Sequence, residues 1–267
     1  MDKTCEPVFL HDKAVIEAFL RKDTPQNIYT IGDLDDFFWG HTAWLGVKRA
    51  GALKALALLY TGGATPTLLA LCAAGARPWA RELIKRWAAV LPPVFYAHLS
   101  PGLADALGRV RKLVSHGTHT KMTLVDKKRV LAADTSGTAV LSGRDLPALL
   151  KFYAQSYPGN WFEPRMLETG MYYGIRERGA LAAVAGVHVY SRKYKVAALG
   201  NITTRPDMRG KGLATKVTAR VCRELLKNVS AVGLNVKADN AAAVGCYRGL
   251  GFRITGTYEE YAAALPV

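Results

Sequence analysis

The chain has 267 residues, half of them hydrophobic, and carries 36 Lys and Arg against 21 Asp and Glu, a formal net charge of +15. That length suits two domains of ordinary size, and that composition is enough for real cores, so the chain reads as a soluble globular protein. The charge favours polyanionic partners, but the basic residues are scattered, without an RGG tract, an RNP-like aromatic motif or a zinc-finger spacing, which argues against nucleic acid and for a solvated basic surface.

Asp2, Lys3 and Glu6 leave no continuous apolar run at the N-terminus, so it does not resemble a signal peptide. Cys5, Cys72, Cys222 and Cys246 show neither CxxC nor metal spacing and fit buried thiols in a reducing cytoplasm, with no metal site expected. Lys13 to Leu20 reads as an opening helix, followed by strand-like runs at Ala43 to Lys48, Leu53 to Tyr60 and Thr67 to Leu71. The uncharged run Ala55 to Ala76 is long enough to span a bilayer, but Gly62, Gly63 and Pro66 divide it into strand-sized pieces, so a buried hairpin is expected rather than a membrane segment. An amphipathic helix follows from Pro78 to Val90, with Leu83, Ile84 and Trp87 on its apolar side. Then come a strand at Val94 to His98, a short helix at Pro101 to Leu107 and a strand around Lys121 to Val125.

Ala132 to Gly137 is small, polar and glycine-ended, a linker that divides the chain into domains at 1–135 and 136–267. Thr138 to Leu141 opens the second half, and a helix capped near Ser142 runs from Arg144 to Gln155. Tyr157, Trp161, Phe162, Tyr172 and Tyr173 then concentrate aromatics that read either as the border of a site or as ordinary core. Strands are expected at Leu181 to Tyr190 and Lys195 to Thr204. After a turn, Leu213, Val217, Val221 and Leu225 repeat at the spacing of one helical face, with Lys216, Arg220, Arg223 and Lys227 on the solvated side. The turn itself, Arg209-Gly210-Lys211-Gly212-Leu213-Ala214, suits an anion: two residues without Cβ let main-chain N–H groups approach phosphate oxygens at a positive helix end, beside two cationic side chains. Alone it could be any helix N-cap. A further strand, Ala231 to Val236, leads to a helix that Asn240 would cap and Gly251 would end, before Phe252 begins a new strand. Asn240, Ala243 and Tyr247 share one face of that helix, and the small residue between an amide and a phenol leaves room for something to lie there.

Together, R-x-x-G-x-A at Arg209 to Ala214 and N-x-x-A-x-x-x-Y-x-x-x-G-F at Asn240 to Phe252 resemble the acetyl-CoA signature of the GNAT N-acetyltransferase superfamily, over Ser136 to the C-terminus. The resemblance implies an acyl-CoA-dependent transfer to an amine, with acetyl-CoA as the expected donor and without metal. The main chain of Arg209, Gly210, Lys211, Gly212, Leu213 and Ala214 would hold the pyrophosphate. The strands ending near Thr204 and starting near Ala231 would splay to admit the pantetheine arm against Ile202, Thr203 and Thr204. Asn240 would steady the arm beside Ala243, the Ile202 N–H would stabilise the oxyanion, and Tyr247 would protonate the leaving thiolate; outside the motif Tyr247 would read as a packed helix aromatic.

Many members of this superfamily supply an acid on the strand before the phosphate loop, but here that strand has no Asp, Glu or His, and Ala198 stands about where a Glu is expected. His188, which also reads as a packing residue, and Glu163 are the candidate bases, and a noncatalytic acyl-CoA-binding module is the alternative reading. The first half repeats the β-β-β-α-β-α-β order of the second. In place of the glycine loop it has Gly75-Ala76-Arg77-Pro78-Trp79, where proline removes a helix-end N–H, and no Asn-to-Tyr motif follows. The expected fold is α/β (α+β): two GNAT-like mixed-sheet domains, the N-terminal one degenerate, without CoA, and shaping the acceptor site. This arrangement resembles glycine N-acyltransferase-like proteins.

Overall fold

Three aspartates shape the start of the chain in the computed structural model, which describes residues 5–266. After β1 (Glu6–Leu10), Asp12 accepts hydrogen bonds from the Ala14 and Val15 amides and opens α1 (Lys13–Leu20). Asp23 caps α2 (Thr24–Gly32), and Asp35 caps α3 (Asp36–Trp39). Each carboxylate satisfies a helix-end N–H that the helix itself cannot. Strands β2 (Thr42–Arg49), β3 (Ala52–Tyr60) and β4 (Thr67–Ala70) follow, then α4 (Arg77–Trp87), β5 (Val94–Leu99), α5 (Ala104–Gly108) and β6 (Lys112–Leu124).

The chain divides into two compact units, the first made of Met1–Lys121, Lys237–Asp239 and Thr255–Val267. In it β1, β2, β3 and β4 are successively antiparallel, β4 runs parallel to β5, and Glu259–Ala264 closes the other side of β5. The uncharged run forms a hairpin, with Leu58 opposite Leu69. On one face α4 buries Leu83, Ile84 and Trp87, each contributing roughly 1.5–3 kcal/mol, and the Trp87 indole donates to the Gly46 carbonyl at 3.0 Å. On the other face the Tyr258 hydroxyl donates to Glu260 at 2.8 Å, and His98 and His119 approach the same carboxylate at 3.4 and 3.5 Å. Lys121, 3% exposed, lies 5.2 Å from the ring centres of both Tyr29 and Tyr258. Burial pulls its ammonium down to about 8 against the opposing charges of Asp23 and Glu260. Asp33 is also buried, and loss of solvent pushes its carboxyl up to about 8.

The second unit comprises Met122–Val236 and Asn240–Ile254. Its elements are α6 (Lys127–Ala132), β7 (Thr138–Val140), α7 (Leu146–Ser156), β8 (Tyr173–Glu177), β9 (Ala180–Ser191), β10 (Val196–Thr204), α8 (Leu213–Leu226), β11 (Ala231–Lys237), α9 (Ala241–Gly249) and the start of β12 (Phe252–Ala264). β7, β8, β9 and β10 are antiparallel neighbours, and β11 joins β10 in parallel. Residues 132–137 lie inside this unit, and 255–264 of the last strand belong to the first.

The expected helix and strand order of the second half is present, with β8 and α6 in addition. The basic face of α8 is less solvated than its spacing suggests. Arg223 reaches the carbonyls of Val130, Leu131 and Ala133 and the Thr135 hydroxyl, satisfying the end of α6. Lys216 pairs with Asp134 at 2.7 Å, and Arg220 stacks over Tyr173. Long cationic side chains can cover a neighbouring segment while staying partly wet, which a periodicity argument does not register.

Candidate active site

The site begins where two parallel strands stop pairing. β10 and β11 are in register from Val196 opposite Ala231 to Leu199 opposite Leu234, after which β10 continues to Thr204 without β11. On its other side, β10 slips register with β9 between Gly200 and Thr203, leaving Asn201 and Ile202 outside the ladder. Asn201 takes up the slip in the left-handed conformation, at φ 54°. Strands interrupted on both sides at one point leave main-chain groups there for a third partner. The Thr204 hydroxyl at the end of this stretch is buried without a hydrogen-bond partner.

From Thr204 the chain turns to α8, and the Arg209 side chain ties the turn to the strand end through the Thr204 carbonyl at 3.3 Å. Gly210 and Gly212 have φ of 77° and 73°, conformations in which a side chain is strained. A Cβ at either would meet nothing within 4 Å. Their use is therefore conformational, and the space before them is open. Among the described residues no N–H from Gly210 to Thr215 donates to a protein acceptor, and the first such bond of α8 is from Lys216 to the Gly212 carbonyl. Amides at a positive helix end, with Arg209 and Lys211 beside them, suit a phosphate-bearing ligand.

α9 lies beyond β11. Asn240 caps it by accepting from the Ala243 amide at 3.1 Å, so its side-chain oxygen is engaged. Gly251 ends it at φ 93°, and a Cβ there would strike the Asp126 carbonyl oxygen at 2.3 Å. Tyr247 is 7% exposed, its ring centre 6.1 Å from that of Phe252, so most of the ring is core. Cys246 sits 3.3 Å from the Thr215 hydroxyl at the first turn of α8. Burial pushes its thiol up, against a smaller effect of the Thr215 contact, which keeps it protonated and unsuited to attack.

The base candidates occupy the strand-bulge side. The His188 ring fills the place where a Cβ of Gly200 would be, and the Tyr172 ring fills that of Gly186, at 2.2 Å in each case. Gly186 and Gly200 are directly opposite in the ladder, so both rings lie on one face of the sheet. Glu163 pairs with Arg165 at 3.1 Å, and its carboxylate acts on Tyr172, whose hydroxyl is pushed well up, first by burial. Ala198 is fully buried in the ladder. Of the aromatics singled out by sequence, Tyr157 and Trp161 are exposed, whereas Tyr172 and Tyr173 are buried. Tyr153 and Asn201, which sequence reasoning passed over, are joined at the bulge by a hydrogen bond, and the Asn201 amide reaches the Tyr172 hydroxyl. Asn201 in a strand before a glycine loop was the one available signal.

Among the described residues no group of three or more His, Cys, Asp or Glu is placed to hold a metal ion, and no helix is long and apolar enough to cross a membrane.

Residues 144–252, the stretch that contains the bulge, the glycine turn and α9, match the Acetyltransferase (GNAT) family. The ribosomal protein bS18-alanine N-acetyltransferase of Escherichia coli (strain K12) is 31% identical over 117 residues, covering 42% of this chain and 77% of that protein. The chain belongs to the GNAT acetyltransferase family. Among solved structures, the GCN5-related N-acetyltransferase from Sphaerobacter thermophilus is similar at TM-score 0.62 and 14% identity, over 100% of this chain and 97% of that one. A tandem GNAT protein from the clavulanic acid biosynthesis pathway is similar at TM-score 0.60 and 18% identity, over 99% and 100% of the two chains. At these identities the likeness speaks for the fold, and it extends to a two-domain GNAT arrangement. GNAT proteins are acyl-CoA-dependent N-acetyltransferases in general, and this chain is a GNAT transferase by family.

Proposed function

We infer that the C-terminal unit binds acyl-CoA across the β10/β11 opening and transfers the acyl group, acetyl in the first instance, to an amine by direct attack in a ternary complex. The observation that carries this reading is the meeting, in one unit, of strands that part after Leu199 and a helix end whose amides from Gly210 to Thr215 have no acceptor. The main chain from Arg209 to Ala214 would hold the pyrophosphate. Ile202, Thr203 and Thr204 would border the pantetheine arm on one side, Asn240 and Ala243 on the other. Bound acyl-CoA supplies a thioester whose carbonyl an amine attacks and whose thiolate leaves.

The protein's own groups then have three tasks. The Ile202 N–H would donate to the oxyanion, a contact worth about 3 kcal/mol when preorganised. The Tyr247 hydroxyl would protonate the leaving thiolate, whose ordinary pKa is near ~8.5. Because an alkylamine has a pKa near ~10.4, a proton acceptor is required, and Glu163 and His188, both associated with the Tyr172 side of the bulge, would serve directly or through water. Cys246 is kept as a thiol by burial, which favours direct transfer over a covalent enzyme intermediate. Four free cysteines support a reducing, cytoplasmic setting.

The E. coli relative is named for an alanine of a ribosomal protein, so the acceptor panel should include a peptide with N-terminal alanine beside amino acids, polyamines and aminoglycosides. Steady-state release of CoA thiol with this panel tests the reading, and turnover on at least one amine is expected. The absence of Asp, Glu and His from β10 favours one second reading, a noncatalytic acyl-CoA-binding module. Stoichiometric acetyl-CoA binding with no turnover on any amine would select it.

A further inference from the structure

We propose that Asn201, Tyr172 and Tyr153 form a lock that holds the β10 bulge and so orients the Ile202 amide, making the three positioning residues for acyl transfer. The proposal rests on the reading above of Ile202 as the oxyanion donor. Asn201 has φ 54° in the middle of a strand, a region that non-glycine residues seldom occupy and that Asn tolerates better than most. Released, the stretch would leave the left-handed region and fluctuate, because two residues of β10 face one of β9 and cannot both rejoin the ladder, and the amide of the next residue would lose its fixed direction. Something must therefore hold it.

Both ends of the residue are held. The Tyr153 hydroxyl, from α7, donates to the Asn201 carbonyl at 2.8 Å. The Asn201 side-chain NH2 donates to the Tyr172 hydroxyl at 2.9 Å, and that hydroxyl donates to the Val187 carbonyl of β9 at 3.1 Å. Burial keeps the Tyr172 hydroxyl protonated, so it remains a donor across the working pH range. Asn201, Tyr172 and Tyr153 are 4%, 0% and 2% exposed, so water does not replace these bonds when one is lost. The Tyr172 ring can reach this place because residue 186 is glycine: a Cβ there would overlap the ring at 2.2 Å. Met166 completes the contact, with its sulfur 3.3 Å from the Tyr172 hydroxyl, so the lock also anchors the segment that carries Glu163.

A packing network alone would cost stability when broken but would not separate catalysis from donor binding. Two variants make the distinction: Tyr172→Phe keeps the ring over Gly186 and removes the hydroxyl, and Asn201→Gly keeps access to positive φ and removes the amide. The measurements are kcat and KM on the full chain, acetyl-CoA affinity by calorimetry, and hydrogen exchange at the Ile202 amide. A misdirected oxyanion donor should lower kcat by about tenfold to a hundredfold, less than the full loss of such a donor, with acetyl-CoA affinity within about twofold. The Ile202 amide should exchange faster while Ala197 to Leu199 keep their protection. Unchanged exchange at Ile202 in both variants overturns the lock, whatever the kinetics show. Faster exchange with unchanged kcat overturns the positioning role. If the wild-type protein turns over no amine while Ile202 still exchanges faster in the variants, the lock stands as a backbone device and the transfer reading is what fails.

Discussion

Each unit contains a pair of parallel strands connected through a helix, β4–α4–β5 in the first and β10–α8–β11 in the second, and the two pairs end in opposite ways. In the first unit β4 and β5 stay paired to Ala70 opposite Leu99, and Ser100 continues the seam. The Ser100 amide donates to the Ala70 carbonyl, its hydroxyl donates to the Cys72 carbonyl, and the Cys72 amide donates to that hydroxyl. In the second unit β10 and β11 part after Leu199 and Leu234, and β10 runs on through a bulge. The turns differ in the same sense. Before α4 the amides of Ala76 and Arg77 already donate to Ala73 and Ala74, and Pro78 has none to offer. Before α8, six consecutive amides have no protein acceptor. One element order therefore yields a sealed seam or an open one, depending on whether main-chain donors are consumed locally.

The largest expected effect comes from closing the open end. Gly212→Asp would force a side chain onto φ 73° and set a carboxylate among the amides, and acetyl-CoA affinity measured by calorimetry should fall by at least ~100-fold. Retained affinity would remove the loop from the donor site. Tyr247→Phe should reduce kcat by about 10- to 100-fold with little change in acetyl-CoA affinity, because it deletes a proton donor and leaves the packing on Phe252. Unchanged turnover would retire the donor role of Tyr247.

The sealed unit should respond in stability instead. Asp33 titrates near 8 when folded and near ~3.9 when unfolded, so the native state binds the extra proton between those values. Its stabilising contribution is complete at low pH and is lost as pH rises from about 4 to 8. Asp33→Asn, which keeps the shape of the protonated group, should match wild type near pH 4 and exceed it by about 2–4 kcal/mol at pH 8 in paired denaturant titrations. A difference independent of pH would contradict the buried neutral carboxyl. The smallest effect is expected for Ser100→Ala, which leaves Cys72 main-chain groups unpaired at the seam and should cost about 1–2 kcal/mol. A second acetyl-CoA binding event appearing in this variant would mean that the seam alone was closing the first unit.

What was legible in the sequence is what is settled over short distances. The glycine turn, the capped α9 and the stripe of α8 are each specified within about ten residues, and their positions follow from φ, caps and period. The caps of α2 and α3 were equally local, and Asp23-Thr24-Pro25 and Asp35 announce them, yet a weak apolar period between them hides both helices. The bulge was not legible, because the groups that hold Asn201 come from positions 48 and 29 residues away. The targets of Arg223 lie 88 to 93 residues off, and the Glu260 cluster joins side chains from three strands. The assignment of 255–264 to the first unit also depends on pairing with β5, which no local pattern states.

The most direct test of a single acyl-CoA site in the C-terminal unit is amide hydrogen exchange of the full chain with and without acetyl-CoA. Protection should appear at Gly210 to Thr215 and Asn201 to Thr204 and be unchanged at Ala70 to Trp79. Protection at Ala70 to Trp79, or none at Gly210 to Thr215 under saturating acetyl-CoA, would contradict the account.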